Sequence, residues 1–152
     1  MARKEEDSLH DGDKVGLLLN FALGHALWLV SGGGVMSPFT VTERGGKRHM
    51  NVFVGEPYET AVDAARQSLI GLDPLTEMYA LAYDGYVTKD GVRLDAILVE
   101  VGSRGMKGAL VASQRYRPKK ADQTFEEVGR ALVARTAKNV LEGPSETVSP
   151  YR

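Results

Sequence analysis

The sequence predicts an α+β domain in which an antiparallel sheet of about five strands, a hairpin plus a three-stranded meander, carries helices in the order α-β-β-α-β-β-β-α. Three observations point there. Glycine makes up 17 of the 152 residues, against an average near ~7%, so tight turns should be numerous. Short segments after residue 38 alternate apolar and polar residues with period two, and separate stretches show helical spacing.

The first element is the apolar stretch Val15 to Val30, VGLLLNFALGHALWLV. It reads as a helix, with Asp11 or Asp13 near its N-terminus, where a negative charge favours the dipole. Leu17, Leu18, Phe21, Leu27 and Trp28 cannot share one narrow stripe, and Gly16, Asn20 and Gly24 form a second row of small residues. Such a helix must be buried on most sides, in the core or against a second copy of the chain. Sixteen residues span only about 24 Å, short of a ~30 Å hydrocarbon core. No membrane association is therefore expected. Met1 to Lys14 carries more acidic than basic residues, unlike a secretory leader.

Ser31-Gly32-Gly33-Gly34 should stop the helix. Phe39 to Arg44 and His49 to Val54 alternate around Gly45-Gly46 and predict a β-hairpin. Pro57 can open a second helix, on which Tyr58, Ala61, Val62, Ala65 and Leu69 form one apolar face. Glu59, Asp63, Arg66 and Gln67 should point outward, and Gly71 and Pro74 end the element.

Met78 to Arg117 predicts the meander. A three-residue loop at Lys89-Asp90-Gly91 sets Thr88 opposite Val92 and Ala82 opposite Leu98. A loop over Gly102 to Met106, closing Val101 on Lys107, then sets Ala96 opposite Ala112 and Arg93 opposite Arg115. Parity gives one face Met78, Ala80, Ala82, Leu94, Ala96, Leu98, Leu110 and Ala112, and the other Tyr79, Leu81, Tyr83, Ile97, Val99, Ala109 and Val111. Both faces are apolar and both need covers. Gly85 is a candidate bulge. Phe125 to Val133 fits a strand by alternation, but Val128, Ala131, Leu132 and Arg135 fit a helix, and the alanine content favours a C-terminal helix. The expected organisation is a polar, flexible N-terminus over 1–13, a single domain over 14–142 and a loose tail over 143–152.

The absence of cysteine removes disulfides, thiolate nucleophiles and Cys-ligated zinc, and a cytoplasmic location is expected. His10, His25 and His49 lie in no ligand spacing, so no metal site and no cofactor are expected. No phosphate loop, dinucleotide fingerprint, nucleophile elbow or metalloprotease motif occurs. Asp84 and Glu100 share a face by parity but stand about 13 Å apart at ~3.3 Å per residue, too far to act together on one bond. His49 reads as an exposed edge residue.

The net charge of -1 conceals an imbalance. Ten Lys/Arg stand against five Asp/Glu from Gly102 onward, and nine against fifteen before it. In the basic part, Arg93, Asp95, Arg115 and Arg117 are candidate anion-binding residues, with Tyr83 nearby. A homodimeric interaction or scaffold module without catalytic activity is the leading functional expectation, with Leu17, Phe21, Trp28, Tyr79 and Leu81 as interface candidates and a further protein partner open. The alternative is a small anionic ligand-binding protein or enzyme using the Arg cluster at the end of the meander. Weak nucleic-acid binding through 115–120 comes third, because Tyr116 falls on the opposite face from Arg115 and Arg117.

Overall fold

In the computed structural model, which describes residues 11–136 and 138–141, helix α1 (Asp11–Ser31) leads into strands β1 (Phe39–Arg44) and β2 (Lys47–Val52). Helix α2 (Tyr58–Ser68) follows, then β3 (Thr76–Lys89), β4 (Val92–Ser103), β5 (Ala109–Arg117) and β6 (Glu126–Thr136). All strand pairs are antiparallel, in the order β2-β1-β3-β4-β5-β6. The α+β class is as expected; the sheet has six strands where about five were expected, and the expected C-terminal helix is β6. Of the N-terminus expected to be flexible over 1–13, residues 11–13 lie in α1, while 1–10 and the tail 143–152 lie outside the described residues.

The β1–β2 hairpin turns where the glycines predicted it. Arg44 pairs with Lys47, and Gly45 and Gly46 take φ values of +59° and +79°, the double left-handed geometry of a two-residue turn that suits the strand twist. The next turn departs from expectation. Lys89 pairs with Val92, so the loop is the two residues Asp90 and Gly91, at φ +53° and +78°, and not a three-residue loop. An aspartate tolerates this conformation better than most side chains. A one-residue slip turns every β4 side chain over: Ala82 faces Val99 and Tyr83 faces Leu98. The second turn departs as well: β4 runs on to Ser103, and Val101 pairs with Leu110 where Lys107 was expected. Pairing runs unbroken through Gly85, so the candidate bulge is absent there; the irregularities fall at Glu43/Arg44 and Ser113/Arg115.

These registers build two apolar faces. On one, Val15, Leu18, Ala22, Ala26 and Val30 of α1 pack with Phe39, Val41, Ala80, Ala82, Ile97, Val99, Val101 and Ala112. On the other, Ala65 and Leu69 cover Tyr79 and Leu81, and Leu141 completes that cluster. Both faces carry covers, as the two-sided apolar pattern required. At 21 residues, α1 spans about 31 Å and is longer than its apolar stretch. By length and composition it could cross a membrane, although one side of it forms the main core.

Candidate functional site

The basic cluster expected at the end of the meander does not assemble. Arg115 pairs with Ala96, not Arg93, because the β4–β5 register differs by three residues from the expected one. Arg93 lies opposite Thr88, with its guanidinium 3.5 Å from the centroid of the Tyr86 ring, a cation–π contact. Alternation puts Arg93 and Asp95 on the α1 side of the sheet and Arg115 and Arg117 on the other. Arg117 pairs with Glu126 at 3.1 Å. Arg115 Nε is buried with no hydrogen-bond partner, and its guanidinium lies against Gly129, where an added Cβ would meet Nη2 at 2.5 Å. Tyr116 is buried, so it presents no platform for a base.

Asp84 and Glu100, expected on one face, are on opposite faces, because the slip at Asp90-Gly91 inverts β4. Each has found a tyrosine. The Tyr116 hydroxyl donates to the Asp84 carboxylate at 2.9 and 3.0 Å, and Phe125 packs on the Tyr116 ring with centroids 5.6 Å apart. Burial and the nearby Asp95 raise the Asp84 pKa despite the Tyr116 bond. The Asp84 N–H extends past the end of β1, whose last pair is Phe39 with Ala82. It donates to the Tyr58 hydroxyl at 2.8 Å. Burial pushes Tyr58 up to about 12.

Glu100 sits on the α2 face among apolar neighbours. Tyr79 donates its hydroxyl to Glu100 Oε2, and Arg66 Nη1 donates to Oε1 at 2.9 Å. Arg66, expected to point outward, borders the apolar stripe of α2 and reaches down over it, as long cationic side chains do. Burial chiefly, and then the Glu100 charge, raise the Tyr79 pKa far above the ordinary range. Beside this latch opens a cleft of about 370 Å³ lined by Arg66, Ile70, Glu100, Thr136, Lys138 and Val140. Asn139 holds its rim: Nδ2 donates to the carbonyls of Ser103 and Met106, both at 2.9 Å. The Leu141 N–H donates to Asn139 Oδ1 at 2.9 Å. Among the described residues, no group of His, Asp and Glu could hold a metal ion.

The interface candidates divide. Tyr79 and Leu81 are 0% exposed, covered by α2 of the same chain. Leu17, Phe21 and Trp28 are 56%, 40% and 69% exposed on the outer side of α1. With Gly24 they fall within about 60° of arc at ~100° per residue. His25 stacks between Phe21 and Trp28 at 6.3 and 5.9 Å and meets the edge of Phe39 at 5.2 Å. A Cβ added at Gly24 would touch nothing within 4 Å, so this position is an open dent between two aromatic rings.

The latch was missed on reading the sequence, although its signal was present. One acid in the apolar run Ala96 to Val101 needs a compensating donor, and Arg66 is a cation at the edge of the α2 apolar stripe that covers that face. Asn139 had no sequence signal. No family model, curated protein or solved structure matches the chain.

Proposed function

We propose that this chain is a non-catalytic interaction module that pairs with a second copy of itself through the outer face of α1. The observation that carries this reading is the seam formed by Leu17, Phe21, Gly24 and Trp28, spaced four, three and four residues apart. Such spacing brings apolar side chains to one line along a helix, as in helix–helix seams. Three large apolar side chains exposed together on a helix whose other side is core are unlike scattered surface residues, and contiguous apolar patches mark interaction sites.

The seam is also self-complementary. In an antiparallel pair centred between Ala22 and Leu23, Phe21 of each copy meets Gly24 of the other, and Trp28 meets Leu17. Large side chains then fill dents, and aromatic anchors of this type dominate interface energetics. His25 supports the rings from the side and keeps its place in the contact with Phe39.

Trp28 is the single tryptophan of the chain and reports on this face directly. Fluorescence on dilution from roughly 100 µM should red-shift as a buried indole becomes solvated. An emission maximum that stays at the solvated position at every concentration would overturn the reading.

A further inference from the structure

Glu100 has both carboxylate oxygens occupied, one by the Tyr79 hydroxyl and one by Arg66 Nη1. It is therefore poorly placed to receive a cation. Its effect is to hold the Arg66 guanidinium in one position, while Tyr79, wholly buried, holds Glu100. A guanidinium has five N–H donors in a fixed fork, and among the described residues Glu100 accepts from Nη1 alone. The Arg66 side chain is 40% exposed and forms one wall of the cleft. An arginine fixed before a ligand arrives loses little side-chain freedom on binding, which favours recognition of a carboxylate by its remaining donors.

Besides Arg66 and Glu100, the cleft is lined by the aliphatic Ile70, 60% exposed, and Val140, by the Thr136 hydroxyl and by Lys138, which adds a second positive charge. A volume of about 370 Å³ is at the small end of ligand sites, and among the described residues no aromatic ring lines it to stack a nucleobase. We infer that this cleft binds a short aliphatic carboxylic acid, with its carboxylate on Arg66 and its tail between Ile70 and Val140. This site lies on the opposite side of the sheet from the α1 seam and does not depend on pairing.

Titration calorimetry on the full chain with hexanoate, hexanamide and inorganic phosphate tests it. Hexanoate should bind, hexanamide about tenfold more weakly for want of a charge, and phosphate more weakly than hexanoate for want of a tail. Ile70→Trp fills the cleft from an exposed position and should weaken hexanoate about tenfold with little change in thermal unfolding. Arg66→Gln should abolish binding but also strands Glu100, so Ile70→Trp is the deciding variant. No hexanoate binding, equal binding of hexanoate and hexanamide, phosphate binding at least as tightly as hexanoate, or an unchanged affinity in a folded Ile70→Trp protein would each overturn the inference. Sedimentation of the same samples keeps this result separate from that of the pairing proposal.

Discussion

Single residues carry the polar interior. Asn139 is buried and uses its amide in three hydrogen bonds, closing the segment after β6 onto the β4–β5 turn. Asn139→Ala should destabilise the fold by about 2 kcal/mol or more, since buried groups left unpaired cost ~1–3 kcal/mol each. Urea denaturation measures it. Gly102 lies under the Tyr79 ring, where a Cβ would come within 2.7 Å of Tyr79 Cε1 and 2.8 Å of Asn139 Oδ1. Gly102→Ala should therefore cost about 1–3 kcal/mol, as overpacking does, and a small loss would mean that the ring moves freely. Asp84 makes a pH prediction. Its pKa is raised by burial, so the neutral form is favoured on folding. That contribution is complete below the ordinary carboxylate range and is lost as pH rises through the raised value. Asp84→Asn, which still accepts from Tyr116, should be more stable than wild type at pH 7, by less than about 1 kcal/mol because solvent screens the group. The two should converge near pH ~3. A variant less stable at pH 7 would contradict the assignment.

Elements were legible wherever a turn or a period had one solution. The Gly45-Gly46 hairpin, the apolar face of α2 and the glycine stop after Ser31 are local decisions, made by residues close in sequence. Strand β6 was ambiguous because Val128 and Leu132 are four apart, a spacing that helix and strand both satisfy. The free edge of β5 decided in favour of a strand, and a bulge at Gly129, at φ +71°, accommodated the extra residues between Val128 and Leu132. The expected Arg93–Arg115 site failed for a related reason. Side-chain parity in a meander depends on each loop length, so one residue at Asp90 reversed β4, and three at the next turn moved Arg115 to Ala96. The Arg66–Glu100–Tyr79 latch brings together residues 34 and 21 positions apart, which no local period reveals. Element-scale physics also makes a prediction for α1. Gly24→Ala touches nothing within the chain and should raise helix stability by about 1 kcal/mol, read as a Tm increase of roughly 3 °C in dilute protein. The same methyl group fills the dent that receives Phe21, so pairing should weaken. Unchanged or tighter pairing would remove the dent from the account.

At the scale of the whole molecule, the uneven charge of the sequence does not become one basic surface. Arg44 bonds Asp73, Arg48 bonds Glu43, Arg66 bonds Glu100 and Arg117 bonds Glu126. Arg104 is turned onto the backbone carbonyls of Thr76, Asp73 and Leu141. From the basic last third, Arg117 is thus paired with the neighbouring strand and Arg104 is taken up by backbone carbonyls. An exposed apolar feature stands beside these pairs: the outer seam of α1, where Arg48 also lies over the Phe21 ring at 4.7 Å, on a helix that the sequence already marked as too apolar for one covered side. Sedimentation equilibrium of the intact chain beside a Leu17→Ser/Trp28→Ser variant tests this most directly. The account predicts a concentration-dependent dimer for the wild type and a folded monomer for the variant. A wild type that stays monomeric at roughly 100 µM, or a variant that dimerises as well as the wild type, would contradict it.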